Sequence, residues 1–593
     1  MSSSMDQLQC EVIAARRRVR RRRAWYLPLS TAMLTVSLIG CGKSSTEEIL
    51  STAGKTKGGD QAIAPSARIE FEDWTERSGI KAAYDNSEST QAFSILESLG
   101  GGVGLLDFDR DGRLDVWYPG GGRIDAPSKT ITGLPHRLFR QTEMLRWELC
   151  SDAAHMSAAK FFSHGCSAAD CDSDGFPDLV VTGYGGVEYY RNLGDGTFEE
   201  VAQRIGLTDS KWSSSSAFGD LNNDGFPDLY LTHYVNWSWD NDPKCFSPAP
   251  DNFPDVCTPA FFQGIDDTVY LNDGQGSFRD ASAEMGLVKN GKGLGVAFAD
   301  IDDDNDLDIY VANDTTENFL YVNDGKGSLI ENGLISGTAL DQRGTPNGSM
   351  GIAVFDFDLD QKPDIWITNF ENETFGMYRN LGGANFQCFT DRTGINALGT
   401  LFVGFGTVAI DVELDGDEDL LVSNGHVQKH PKSSTNAQEA LLLLNDARGH
   451  LSKHPFRDSS YFQGRHRGRT VVTADFNHDG LMDCLFAHVL EPASVLLNKS
   501  EPQGTWLQLE LIGVASNRDA IGARVVTKST PKPLYRQVVG GSGYLSQGPY
   551  SLHFGLPAGT EQVSVEVRWP SGKVQVVNGL RTGMTNVIRE TSD

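Results

Sequence analysis

At 593 residues, with 39% hydrophobic and 9% aromatic content, the chain is longer than one ordinary domain and apolar enough to bury a large core, which excludes a largely disordered protein. Seventy-nine Asp and Glu against 51 Lys and Arg leave a formal charge of −28, so nucleic acid is excluded as a partner on electrostatic grounds. Sixty-four glycines point to many turns between short strands.

The first 40 residues read as a segment apart. Seven arginines, interrupted by Val19, fill residues 16–23, and an apolar run follows to Gly40. A basic stretch, a short apolar stretch and a small residue form the layout of a secretory signal peptide over 1–40. The text Leu38-Ile39-Gly40-Cys41 resembles a bacterial lipobox. That resemblance implies that Cys41 becomes the lipidated first residue of an exported chain, held in the bacterial cell envelope by a lipid anchor on its periplasmic or surface side. The alternative is an uncleaved span, for which the run is short and is weakened by Pro28. Residues 41–67 are rich in Ser, Thr, Gly and Lys and read as a flexible tether.

From Phe71 onward one acidic pattern recurs, Asp-x-Asp-x-Asp-Gly-x-x-Asp. Copy one is Asp107, Asp109, Asp111 and Asp115, and copy two is Asp170, Asp172, Asp174 and Asp178. Copy three is Asp220, Asn222, Asp224 and Asp228, and copy four is Asp300, Asp302, Asp304 and Asp308. Copy five is Asp356, Asp358, Asp360 and Asp364, and copy six is Asp411, Glu413, Asp415 and Asp419. Copy seven is Asp475, Asn477, Asp479 and Asp483. Successive copies start 63, 50, 80, 56, 55 and 64 residues apart, and the longest gap holds a Pro-rich insertion around 237–259. Apolar runs such as 102–106 and 229–231 flank the copies, and most are followed by a third β-forming run and a hairpin signal such as Asn192-Leu193-Gly194-Asp195-Gly196. Four strands per unit at this period match a propeller blade. The expected architecture is therefore all-β: a seven-bladed β-propeller over 68–504, followed by a small antiparallel β domain over 505–593.

Alternate carboxylates at positions 1, 3 and 5 turn toward one point, Gly at position 6 lets the backbone reverse, and position 9 returns a fourth side chain. Oxygen ligands at that density suit Ca²⁺, which takes six to eight of them in flexible geometry. Seven such ions would halve the formal charge of −28. The bland alternative is a set of solvated Asp-rich turns. Asn305 and Gln361 stand where Gly is expected. Gln adopts positive φ poorly, so copy five is expected to be the weakest or an empty site.

At this point the repeats resemble the FG-GAP (or VCBS) repeats of the integrin α-subunit propeller, as in Phe218-Gly219-Asp220 and Val311-Ala312-Asn313-Asp314, over residues 71–500. The resemblance implies structural calcium loops that stiffen one face of the propeller. Beyond Gly504 the acidic loops stop. Asn517-Arg518-Asp519-Ala520-Ile521-Gly522-Ala523-Arg524, Gly541-Ser542-Gly543-Tyr544-Leu545-Ser546-Gln547, His553-Phe554-Gly555-Leu556 and Trp569-Pro570-Ser571-Gly572 resemble the ASPIC/UnbV domain, with Pro557 a small departure. The combination is similar to the cartilage acidic protein family, a resemblance that implies an architecture more than an activity.

Cys245 and Cys257 flank the Pro-rich insertion and form the best disulfide candidate; a pairing of Cys150 with Cys166 or Cys171 stays open. Five residues past the last Asp of each copy, one register holds Gly120, Gly183, His233, Asn313, Asn369, Asn424 and His488, with Asp314, Glu371 and His426 nearby. These residues are expected at the mouth opposite the calcium loops, either as a polar ligand face or as caps of strand ends. Trp212, Trp237 and Trp239 are candidates for an aromatic patch there. Three function classes follow: a non-catalytic module binding protein or glycan, a propeller enzyme acting on extracellular polysaccharide, and a passive envelope component. The sequence has no Gly-x-Ser-x-Gly or His-Glu-x-x-His motif. Replacing Cys41 by Ser is expected to move the protein from the membrane to the soluble fraction and to abolish metabolic labelling with palmitate; a labelled C41S protein would refute lipidation at that residue.

Overall fold

A computed structural model describes residues 68–247, 250–457 and 460–592. The leader, Cys41 and nearly all of the tether lie outside the described residues. The chain is all-β, built of many small antiparallel sheets. No helix among the described residues is long and apolar enough to cross a membrane.

Each acidic loop joins the first two strands of a sheet whose strands follow one another in chain order. In the second sheet these strands are Phe162–Ala169, Asp178–Tyr184, Gly186–Asn192 and Phe198–Glu200. The first and second strands are buried on both faces and read as continuous apolar or small-residue runs, while the outermost strand alternates buried and exposed. The third sheet carries the Pro-rich insertion between Asp228–His233 and Thr268–Asn272. The seventh runs out of chain after three strands, Gly468–Ala474, Asp483–His488 and Ser494–Asn498. Its fourth strand comes from the other end of the fold, with Phe71 opposite Asn498 and Asp73 opposite Leu496.

The first strands pack side by side in chain order, from Gly104–Leu106 through Phe162–Ala169, Ser213–Gly219, Gly293–Ala299, Ile352–Phe355 and Gly404–Ile410 to Gly468–Ala474. Just ahead of the first of them, Gly101 lies so close to Arg469 of the last that an added Cβ would meet the arginine side chain at 2.8 Å.

In six of the seven sheets, one asparagine near the end of the third strand ties the sheet to its predecessor. The Nδ2 of Asn380 donates to Ile301 O of the preceding sheet at 2.8 Å and to Pro363 O of its own loop at 3.0 Å. Asn192, Asn272, Asn323 and Asn445 repeat the arrangement, and Asn498 reaches Val412 O. The sequence shows these residues as hairpin signals; their side chains are cross-links between sheets. In the first sheet Gln141 stands at that position, and Trp147 packs edge-on against Phe476 of the seventh sheet instead.

The C-terminal domain differs from expectation in one respect. It is not wholly antiparallel, because Gly504–Ile512 pairs antiparallel with Leu552–Pro557 and parallel with Thr585–Arg589. Some 70 residues lie between the parallel partners, enough for the crossover that such a pair requires. The domain shares one apolar core with the sheets, in which Leu507, Val525, Val565 and Trp569 join Leu229, Phe298 and Leu307.

From this domain, residues 540–547 thread between the first strands. Gly541 pairs with Ala297, and Gly543 exchanges both backbone bonds with Ile352. Leu545 accepts from Cys166 N and donates to Ser215 Oγ, Gln547 bonds Val103 and Leu105, and the Tyr544 ring lies 4.9 Å from that of Phe405. The segment thus touches six of the seven sheets. Gly541 has φ +72° and lies so near Val296 O that a Cβ would approach it to 2.5 Å, so no larger residue fits.

Tyr544→Ala is expected to cost about 3 kcal/mol or more by opening a cavity at the centre of the fold. Asn380→Ala is expected to cost about 1–3 kcal/mol by orphaning two buried carbonyls, whereas the exposed Asn578→Ala stays within about 0.5 kcal/mol. Urea denaturation of the three variants checks the order.

Candidate functional site

The seven acidic loops share a backbone plan. Position 6 is left-handed throughout, at Gly112, Gly175, Gly225, Asn305, Gln361, Gly416 and Gly480. Position 4 is left-handed as well, although none of Arg110, Ser173, Asn223, Asp303, Leu359, Leu414 and His478 is glycine. The position-1 carboxylate holds this turn. In copy five the N–H groups of Asp360 and Gln361 donate to Asp356 Oδ1 and Oδ2 at 2.8 and 2.9 Å. The position-9 carboxylate locks the strands: Asp364 accepts from Phe357 N at 3.0 Å and from Asn380 N of the third strand at 2.6 Å. Asp228, Asp308 and Asp483 do the same with Asn272, Asn323 and Asn498.

Position 3 joins position 1 in each gathered cluster, with position 5 as the third member in copies two, four and five and position 9 in copy one. Carboxylate oxygens gather within 4.8 Å in four loops: Asp107, Asp109 and Asp115; Asp170, Asp172 and Asp174; Asp300, Asp302 and Asp304; Asp356, Asp358 and Asp360. Copy five, expected to be the weakest, is therefore among the formed clusters. Gln361 takes φ +68°, and its N–H bond to Asp356 offsets the unfavourable conformation. Copies three and seven close differently: Asn222 and Asn477 turn their amides onto Asp224 and Asp479 at 3.0 and 2.9 Å. In copy six the longer Glu413 does not join Asp411, Asp415 and Asp419 in such a cluster.

Each of the four gathered clusters contains one buried oxygen without a hydrogen-bond partner: Asp109 Oδ1, Asp170 Oδ1, Asp302 Oδ1 and Asp358 Oδ1. A buried carboxylate oxygen left bare is costly, and an all-oxygen donor set suits a hard divalent cation. The residues fit calcium. Burial pushes the carboxyls of Asp115, Asp178 and Asp483 up to about 8 and those of Asp170 and Asp356 to about 7. Arginines also reach these loops: Arg140 pairs with Asp109 and Asp111, Arg379 with Asp358 and Asp360. The C-terminal domain adds Arg518 to Asp170 at 3.0 Å and Arg524 to Asp300 at 2.9 Å. That domain thus covers the acidic-loop end.

At the other end, the register expected to face a mouth is buried. His233, Asn313, Asn369, Asn424, His426 and His488 are at most 1% exposed. Asn313 donates to Glu317 O, Asn369 to Thr374 O and Asn424 to Glu439 O, so these amides cap turns. His233 meets Asp209 at 3.2 Å, and His426 accepts from Gln428 N and faces Glu371 at 3.6 Å. His488 lies between Tyr461 OH and Pro492 O. Trp212 and Trp237 are buried in an aromatic chain with Tyr184, Tyr234 and the half-buried Trp239. They form no exposed patch because the insertion folds over them.

Of the predicted face, Asp314 lines a cavity of about 170 Å³ with Tyr234, Phe370, Glu373 and Phe405. Residues 256–259 of the insertion, joined to Cys245 through the Cys245–Cys257 disulfide, and residues 427–428 also line it. Buried Asp255 accepts from the N–H groups of Lys429 and His430, and Lys429 pairs with buried Glu97 at 2.7 Å. Three distant segments are thereby clasped together. Glu373 was not legible as a site residue, because no repeat or motif marks it.

Residues 170–231, 251–311 and 300–367 match the FG-GAP-like repeat family, and residues 513–593 match ASPIC and UnbV. The chain carries FG-GAP-like repeats followed by an ASPIC/UnbV domain. It is similar to cartilage acidic protein 1 of Mus musculus, at 26% identity over 331 residues, covering 54% of this chain and 48% of that protein. The Homo sapiens protein matches at 26% over 324 residues, covering 54% and 47%, and the Xenopus tropicalis protein at 28% over 306 residues, covering 50% and 44%. The chain spans about half the length of these curated relatives. A solved lectin of Agrocybe aegerita aligns at 15% identity and TM-score 0.36 over 68% of this chain and 99% of that one, too loose a likeness to bear on a ligand.

Asp109→Ala and Asp358→Ala are each expected to remove one bound calcium per chain, while Asn477→Ala leaves the count unchanged; equilibrium dialysis with elemental analysis reads this. Without metal, the raised carboxyl groups hold protons in the fold that the unfolded chain releases near pH 4. Chelated protein should therefore lose stability as pH rises from about 4 to about 8, and calcium should remove that loss. Thermal unfolding across this range, with calcium and with chelator, checks the sign.

Proposed function

We propose that the seven sheets are the blades of a calcium-stabilised β-propeller, and that the protein is an exported, lipid-anchored, non-catalytic module that binds protein or glycan. The side-by-side order of first strands, the nearness of Gly101 to Arg469 and the completion of the last sheet by Phe71–Asp73 support the ring. Calcium would occupy first the four loops whose carboxylates converge, with up to seven sites in all. The Cys245–Cys257 disulfide suits an oxidising compartment, and the lipobox text at Cys41 supports the anchor.

The observation that carries the binding reading is the inequality of the two ends. The C-terminal domain covers the acidic-loop end, so the opposite end is the one presented. There the cystine-stapled insertion holds out Phe246, Phe253 and Phe261, which are 53%, 50% and 61% exposed. Rigid loops bearing exposed aromatic rings are binding surfaces.

The test compares the calcium-loaded protein with its F246A/F253A/F261A variant on arrays of glycans and of purified envelope proteins. Binding that disappears in the variant, with melting temperature and calcium content unchanged, supports the reading. Undiminished binding by the variant would remove the insertion from the interface, and turnover of an arrayed glycan would overturn the non-catalytic assignment.

A further inference from the structure

The cavity behind the insertion is chemically lopsided. Its lining includes Ile95, Leu99, Leu294, Met350 and the Phe370 and Phe405 rings, yet two carboxylates, Asp314 and Glu373, also line it. They flank one glycine: a Cβ on Gly348 would lie 3.0 Å from Asp314 Oδ1 and 3.7 Å from Glu373 Oε2.

Each carboxylate is fixed through one oxygen. Tyr234 OH donates to Asp314 Oδ2 at 2.6 Å, while Gly348 N and Phe370 N donate to Glu373 Oε2 at 2.8 and 3.2 Å. Among the described residues, no hydrogen bond reaches Asp314 Oδ1 or Glu373 Oε1, and neither residue has an ion-pair partner. The nearby cation Lys292 points its Nζ at Pro259 O, 2.9 Å away, and at Thr315 Oγ1, 3.4 Å away. Desolvation raises the carboxyl groups of Asp314 and Glu373 to about 6 and about 7, against the opposing pull of Lys292 on the first and Arg343 on the second, neither of which forms an ion pair with them.

We propose that this cavity binds a small organic ammonium ion, its N–H groups shared between Asp314 Oδ1 and Glu373 Oε1 and its hydrocarbon body against Tyr234, Phe370 and Phe405. Charge-assisted hydrogen bonds and the faces of aromatic rings both favour such a cation in a desolvated site. Calcium does not suit it, because two carboxylates among apolar walls fall short of six oxygens. At about 170 Å³ the cavity is below the range of about 300–1,000 Å³ typical of larger ligands, so the guest is a simple monoamine. The inference stands apart from the reading of Phe246, Phe253 and Phe261, since a chain that binds nothing through those rings can still take an amine here.

The test is isothermal titration of the calcium-loaded full chain, at mildly alkaline pH, with cyclohexylammonium and with its neutral counterpart cyclohexanol. The expected result is one saturable site per chain for the ammonium, with cyclohexanol weaker by about tenfold or more. Glu373→Gln keeps an oxygen for Gly348 N, and Asp314→Asn keeps the size of its side chain; each should weaken the ammonium by about tenfold or more without lowering the melting temperature sharply. Val427→Trp, filling the cavity from its rim, should abolish binding independently of charge. No saturable binding of the ammonium by the parent chain, equal binding of cyclohexanol, or unchanged affinity in all three variants would overturn the proposal.

Discussion

The structure depends on one repeated contact, the position-9 aspartate of an acidic loop accepting two backbone N–H groups, in every copy but the second, where the Tyr189 hydroxyl replaces the loop N–H at Asp178. One comes from the start of its own loop and the other from the third strand, so a single carboxylate joins the first three strands of a sheet. At Asp364 these donors are Phe357 and Asn380. The same Asn380 then carries its amide to Ile301 of the preceding sheet. A buried carboxylate, a loop and an inter-sheet link thus form one unit, repeated around the fold. Sheets of four short strands are marginal alone; linked at every step, and packed over shared apolar clusters, they hold one another.

That arrangement also explains why the metal sites differ among themselves. Positions 1 and 9 are bound to backbone N–H groups, so they shape the loop as well as supplying oxygens to it. What varies is position 3. Aspartate there leaves a bare buried oxygen in copies one, four and five, asparagine folds its amide onto position 5, and the longer Glu413 meets Asp415 and Asp419 without gathering the set as closely. Calcium, in the proposed role, relieves an electrostatic debt in some loops more than in others.

The C-terminal domain acts as both cover and core. Its arginines meet the acidic end, and its segment 540–547 occupies the centre against six sheets, where glycines on both sides admit close backbone contact. Leu545 O approaches where a Cβ on Gly165 would lie, at 2.4 Å. Sheets and domain therefore share one hydrophobic cluster, and removal of the domain would expose first strands that are now almost wholly buried.

The positions of the acidic loops, the all-β class and the placing of FG-GAP-like repeats ahead of an ASPIC/UnbV domain were legible in the sequence alone. Each follows from local chemistry: alternating carboxylates, turn residues at set offsets, and apolar runs of strand length. What the sequence left open involves contacts between residues far apart in the chain. The last sheet takes its outer strand from Phe71–Asp73, a partner more than 400 residues away. The left-handed position 4, occupied by six different residue types in the seven copies, has no compositional signal because the fold imposes it. The polar register at 233, 313, 369, 424 and 488 marks strand ends, and only the segments packed over them decide that it is buried. Glu373 lies near Asp314 because a loop brings both beside Gly348, a nearness that no periodicity encodes. Local pattern determined what each segment would become; long-range packing decided which side chains remain available to a ligand, because availability depends on what lies above a residue and not on its neighbours in the chain.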